Sequence, residues 1–457
     1  MGAPEVVEET STLGVNRSLG PIGSNRLSRW VNKHIAPLIA TALLVVLGMN
    51  FTIWWAIEVK HEISQWLTPP DLWGSYLGSV ALVHGHLTQI YSGVTGLVSL
   101  PGIVYVLAPV AAVGSALHLG VSQQFVGGYT EPTAWVILGP YEMILGSIAL
   151  FAADSVAQRF GVSLSKRILL ALVGAAIISN VLIRWGHPED CIAVGLSLYA
   201  ALAAHDSKWT RCGWLLGVAI AFQPLAILAL PAILATASLR RLIKLVLPIL
   251  VPSVIAVAGP LIASPHFTFH ALTNQLNYPT LNHPTPWVSL LPHTYVYHVL
   301  AVPSGPLRAV AVVTSAALSV AVCRKSKRFE VVVFMIAVSF ALRVVFEPAL
   351  DAFYVWPALE VALVLSCRRN WIVATVAGAA AVGATWWSDV NMAGVWPWWI
   401  AMCAILLALL VLAYPLRAPV NAEDHPGKKG PLDLNGEEDR TGQSTDLTAG
   451  RQDVALQ

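Results

Sequence analysis

Ten long apolar runs divide this chain, at 36–57, 134–153, 168–185, 191–205, 245–263, 309–323, 331–346, 352–367, 371–387 and 398–416. A helix crossing a bilayer needs roughly 20 such residues. A helix or a closed barrel is also the only form in which every backbone polar group is bonded inside the hydrocarbon. Shorter or Pro-interrupted runs occur at 97–119, 212–236 and 286–303. The pattern predicts an all-α polytopic integral membrane protein of roughly 10–13 membrane segments, some broken or re-entrant.

Charge supports the same class. An ordinary soluble domain is about 25% charged, and this chain is 11%. Only 33 of its charged residues fall within the 387 residues of 34–420, too few to cover a water-soluble globule. The net charge of +2 averages over a mixed distribution and points to no nucleic-acid partner. Cys191, Cys212, Cys323, Cys367 and Cys403 form no CxxC pair and no metal spacing, so they read as small buried apolar residues.

Basic residues set the expected orientation, because cytoplasmic ends are rich in Lys and Arg. They cluster at 17–33, 159–167, 208–211, 240–244, 324–328, 368–369 and 417. Outside these clusters and the tail, only Lys60, Arg184, Arg308 and Arg343 remain. The expected layout is a disordered cytoplasmic N-terminus over 1–33, a polytopic domain over 34–418 and a disordered cytoplasmic tail over 419–457. Outer loops are expected at 58–96, 184–190, 264–308, 347–351 and 388–397. Parity then requires 97–119 to dip in and return, and 212–236 to be two half-helices meeting at Gln223-Pro224. The location expected is the plasma membrane, with both termini cytoplasmic.

Ionisable groups at membrane depth are costly and mark sites. Three short stretches concentrate them. In Pro69-Pro70-Asp71-Leu72-Trp73, two prolines present a carboxylate that is suited to general-base work; the plainer alternative is an Asp capping a helix over 72–87. His86 lies further along the same loop. In Arg184-Trp185-Gly186-His187-Pro188-Glu189-Asp190, Arg184 and His187 can bind an anion, while Glu189 and Asp190 suit the start of the next helix. An Arg–carboxylate pair in a helix-capping turn is the alternative. In the third stretch Arg343 is spaced for an i,i+4 pair with Glu347 or for phosphate recognition, with Asp351 and Tyr354 following. The five His of 264–298 match no tetrahedral metal template, and neither a metal nor a cofactor is expected.

The order of these features resembles the glycosyltransferase-C superfamily, most nearly the polytopic mannosyl- and arabinosyltransferases of actinobacteria. The resemblance rests on Asp71 followed by Tyr76, Gly85 and Ile90-Tyr91. It continues in Ser99-Leu100-Pro101-Gly102 with Ala108-Pro109, and in Gly213, Gly217, Ala219, Gln223-Pro224 and Leu230-Pro231, where Gln223 stands in place of the common Lys. The 186–190 run is not part of the general pattern and suggests a separate subfamily. The resemblance implies a hexosyl- or pentosyltransferase using a polyprenyl-phosphate sugar as donor and a glycolipid or cell-wall glycan as acceptor. Asp71 would take the acceptor proton, with Glu189 and Asp190 as alternative bases. Arg184, His187, Arg343, Glu347, Tyr354 and His86 would bind the substrates and the leaving phosphate. The alternative is a transporter or lipid flippase with a proton-coupled polar site, and a third reading is a scaffold for envelope assembly.

Overall fold

In a computed structural model, described for residues 26–60, 68–92, 97, 99–120, 134–296, 298–390 and 396–415, the chain is mostly helical with little sheet. The expected disordered stretches lie outside these residues except for 26–33. That segment is not disordered but forms helix α1 (Arg26–Lys33). It is held because the Lys33 carbonyl accepts hydrogen bonds from Gln158 (3.2 Å) and Arg167 (2.6 Å). It meets α2 (Ile35–Lys60) at 74°.

Beyond Thr68 the expected outer loop 58–96 contains a helix, α3 (Pro70–Val83), packed against α4 (Gly102–Ala116). Ser79 donates across the pair to the Val104 carbonyl at 2.9 Å. Leu72, Tyr76 and Ser79 of α3 are buried, which is why this stretch is not a solvated loop. α3 has 14 residues and α4 has 15, about 21–23 Å each against a hydrocarbon core of about 30 Å.

α5 (Trp135–Gly146) and α6 (Ile148–Arg159) join into one apolar stretch of 25 residues. α7 (Leu164–Ser179) runs into a π-helical turn over Asn180–Trp185. α8 (Pro188–His205) then carries the chain to the opposite end of the bundle and α9 (Trp209–Phe222) leads back alongside it. The break after α9 is at Gln223, whose backbone is extended (φ −148°, ψ 124°). The Pro224 ring disfavours helix at the residue before it. A 3-10 turn (Pro224–Leu228) and α10 (Leu230–Leu234) complete the stretch.

α11 (Leu239–Ala263) contains Pro248, Pro252 and Pro260. Each proline removes one i to i−4 hydrogen bond, and two of the freed carbonyls find other company. The Tyr105 hydroxyl donates to Ala256 at 2.9 Å, and Gly217 of α9 sits so close to the Pro248 carbonyl that no side chain fits there. α12 (Pro265–Thr273) follows, and then four short strands, β1 (Leu276–Asn277), β2 (His283–Pro284), β3 (Thr294–Val296) and β4 (Val299–Pro303). Antiparallel pairing orders three of them β1-β4-β3. The apolar run 286–303 is therefore a 3-10 turn and two strands rather than a membrane segment, because its prolines and paired backbone serve a small sheet. The long connection ends at Ser304.

α13 (Gly305–Cys323), α14 (Phe329–Phe346), α15 (Trp356–Ser366), α16 (Trp371–Val390) and α17 (Trp396–Ala413) complete the bundle. Between α14 and α15 lies β5 (Ala349–Leu350), which pairs with β2 through His283↔Leu350 and Pro284↔Ala349. Every residue of α15 is buried, Glu360 included, as expected of a helix with no polar face. In contrast, only 17% of the α11 apolar window and 22% of the α13 window are buried, so these two helices form the lipid-facing flank.

Six described stretches are long and apolar enough to cross a membrane, or seven with the bent α1–α2 pair, and five more apolar helices have 10–17 residues. The expected 10–13 spans included these shorter pieces. Long and shorter helices together make eleven or twelve apolar segments among the described residues. The protein is a mostly helical, polytopic membrane protein.

Candidate functional site

The π-helical turn ends in a left-handed residue, Gly186 (φ +80°), a conformation that costs an L side chain about 1–2 kcal/mol. Both the Gly186 and His187 amides donate to the Val181 carbonyl, at 2.9 and 3.0 Å. A Cβ on Gly186 would lie 2.6 Å from the Leu72 Cβ and 2.8 Å from that of Pro69. Glycine thus lets this turn press against the N-terminus of α3, and the next residue, His187, reaches Asp71.

Asp71 is in the first turn of α3 behind Pro69 and Pro70, and no side chain caps that helix. Its carboxylate is committed elsewhere. His187 Nε2 lies 2.7 Å from Asp71 Oδ2, and His187 Nδ1 lies 2.8 Å from Glu189 Oε1. Burial disfavours the charged imidazole, but the Asp71 and Glu189 carboxylates outweigh it and hold the His187 pKa well above the ordinary imidazole value. A carboxylate oxygen thus stands at each ring nitrogen, the geometry in which a protonated imidazole donates twice. The relay is graded in exposure, with the Asp71 side chain 49% exposed, His187 16% and Glu189 3%. Asp71 is the solvent-exposed end.

The third stretch meets the other two here. Phe353 stacks on His187 with centroids 4.2 Å apart and also approaches Trp185 at 5.7 Å. Tyr354 sits edge-on to Phe353, and the Arg343 guanidinium lies 4.0 Å over the Tyr354 ring. Asp351 lies within electrostatic reach of Tyr354. Its pKa is pushed up to about 6, by burial first and then by the negative charge of Asp71.

Glu347 is buried and accepts hydrogen bonds on Oε1 from Arg308 Nε and from Asn277, both at 2.8 Å. Arg343 Nε is 3.8 Å from the other oxygen. Burial alone would raise the Glu347 pKa, but Arg308 and Arg343 hold it below the ordinary carboxylate value. The intrahelical Arg343–Glu347 pair is thus secondary to Arg308. Arg343 keeps a buried Nη1 without a hydrogen-bond partner among the described residues.

Other expected site residues are placed less centrally. Asp190 is buried and accepts from Gln223 Nε2 at 2.7 Å, so it anchors the break after α9 rather than facing a substrate. Arg184 rests against the ring of Trp185, 6.0 Å away. His86 is excluded from the cluster. It follows the far end of α3, about 20 Å from Asp71 along the helix, and its ring neighbour is His84. The outer-loop expectation hid this separation, because a loop can fold back and a helix cannot.

Sequence reasoning placed Phe353 in the third stretch without a role and missed Asn277 and the Gln223–Asp190 bond. Arg308 had a signal, as one of four basic residues outside the basic clusters. It also missed Glu142 of α5, which is fully buried with neither oxygen hydrogen-bonded among the described residues, and which lies within electrostatic reach of Glu189 and His187. An acidic residue inside the apolar run 134–153 was the available signal. Among the described residues no group of three His, Cys, Asp or Glu side chains has the geometry to hold a metal ion. No family model matches this chain, and no curated protein matches it.

Proposed function

We propose that the protein is a membrane glycosyltransferase that moves a sugar from a polyprenyl-phosphate donor to the hydroxyl of a glycolipid or glycan acceptor. The observation that carries this reading is the Asp71–His187–Glu189 relay, with its most exposed carboxylate at the open end. His187 holds Asp71 Oδ2 and leaves Oδ1 for the acceptor hydroxyl. Asp71 takes the hydroxyl proton while the acceptor oxygen bonds to the anomeric carbon. The anomeric carbon–phosphate oxygen bond breaks, and its electron pair leaves with the polyprenyl phosphate. Arg343, whose Nη1 is unpartnered among the described residues, is the cation suited to the charge gained by that phosphate. General-base catalysis of this kind contributes roughly 10²–10⁴-fold. Accordingly, Asp71→Asn should lower transfer from polyprenyl-phosphate mannose or arabinose by at least about 10²-fold while membrane insertion is unchanged. Wild-type transfer by that variant removes Asp71 from the mechanism.

Glu142 favours a second reading, a transporter or flippase driven by protons. A carboxyl buried within a spanning stretch without hydrogen bonds is costly unless it has work to do. In proteoliposomes, Glu142→Gln should abolish substrate movement driven by a pH gradient if this reading holds. Under the transferase reading the same variant keeps sugar transfer, and no gradient-driven flux exists to lose.

A further inference from the structure

The opposite end of α8 holds a second constellation that the relay does not use. It lies about 27 Å from His187, the length of an 18-residue helix, which is close to the thickness of a bilayer core. There Lys33, Arg159, Lys208 and Arg211 line a cleft of about 450 Å³ together with Ser155, Gln158, Tyr199 and Asp206. Sites for small molecules span roughly 300–1,000 Å³. Four cations face one carboxylate. Asp206 already pairs with Arg159 and with Lys208, whereas Lys33 and Arg211 have no ion-pair partner among the described residues. The cleft therefore carries uncompensated positive charge.

Tyr199 is shared with an adjoining, mostly apolar hollow of about 300 Å³, lined also by Trp30, His34, Ile144, Ser147, Ile148 and Phe151. Trp30 comes from α1, which the 74° bend turns away from the spanning α2. α1 presents Leu27 and Trp30 at 64% and 46% exposure beside Arg26, Arg29 and Lys33. Basic and apolar residues on one short helix are the composition of an element lying in the membrane–water interface. Cation cleft, apolar hollow and interfacial helix thus meet at headgroup level. Basic pockets between membrane helices bind anionic lipid headgroups.

We propose that this cleft is a binding site for an anionic phospholipid of the adjacent leaflet. The phosphate would be held by Lys33 and Arg211, with Arg159 and Lys208 beside it, and one acyl chain would occupy the hollow next to Tyr199 and Trp30. The site is independent of the glycosyltransferase reading and lies at the other end of the bundle.

The test uses the full chain in detergent, titrated with phosphatidylglycerol and followed by native mass spectrometry, with phosphatidylcholine as the uncharged reference. One phosphatidylglycerol should remain bound to the wild type at concentrations where phosphatidylcholine does not. Lys33→Gln with Arg211→Gln should weaken that binding at least tenfold. Arg240→Gln with Arg241→Gln removes the same charge outside the cleft and should leave it unchanged. Ile144→Trp fills the hollow and keeps the cations, so it should lose the lipid while still binding glycerol 3-phosphate. Equal weakening by the two double variants would mean that general charge, not this cleft, attracts the lipid, and would overturn the proposal. Glycerol 3-phosphate binding as tightly as phosphatidylglycerol would overturn the lipid assignment, because the hollow would then contribute nothing.

Discussion

Glu347 shows how much one buried carboxylate depends on its partners. Arg308 supplies its close ion pair, with Nη2 at 2.6 Å from Oε1, while Arg343 stands off at 3.8 Å. Removing one partner of a buried pair costs about 3–5 kcal/mol. Arg308 is 29% exposed and Arg343 remains nearby, so Arg308→Met should destabilise the detergent-solubilised protein by about 2–3 kcal/mol, read as a lowered unfolding midpoint. An unchanged midpoint would show that Arg343 is an equal partner. At this scale the sequence was readable where ionisable residues sat together, as in Gly186-His187-Pro188-Glu189-Asp190. It was unreadable where partners lay far apart in the chain: Asn277 and Arg308 are 70 and 39 residues from Glu347, and Phe353 announces nothing as an aromatic among aromatics. Glu142, and Glu360 within α15, were passed over because each lies inside an apolar run that reads as a span.

Among elements, the junction of the π-helical turn with α3 decides whether the relay exists. Gly186→Ala must place a Cβ in left-handed backbone and against both Leu72 and Pro69. It should cost about 3 kcal/mol or more and part His187 from Asp71, so stability and activity fall together. Gly85 has a similar φ of +74° but open space around its missing Cβ. Gly85→Ala should cost only the backbone strain, about 1–2 kcal/mol. Comparing the two thermal midpoints separates steric contact from strain, and equal losses would contradict the close packing at Gly186. The helix break at Gln223 was legible from its proline. A helix over 72–87 was one of two compatible readings of its stretch, so the helical state of α3 was legible; that Asp71 turns to His187 instead of capping the helix was not.

Across the whole molecule, stability should depend on pH with a definite sign. His187 has a folded-state pKa raised well above 6.5. Its contribution is complete below pH 6.5 and is lost as pH rises through the folded value. Asp351 works in the same direction lower down, because its pKa rises from 3.8 to about 6 on folding, so stability falls as pH climbs across that interval. The unfolding midpoint in detergent should therefore decline on the alkaline side of pH 6.5, and His187→Gln should flatten that decline. An equally steep decline in the variant would mean that other groups carry it. The membrane class of the molecule was open to inspection in its charge scarcity, since no other solvent tolerates such a surface. The spans were harder to count, because hydropathy sees apolar length and not the prolines' effect on helix continuity.

The two-residue ladder that joins His283-Pro284 to Ala349-Leu350 has a mechanical corollary. The long connection between α12 and α13 is stitched to the chain between Glu347 and Asp351, and Phe353, three residues beyond the stitch, rests on the imidazole of His187. That connection cannot swing as an independent flap. Any cargo that pulls on it also tugs the ring that lies against the relay.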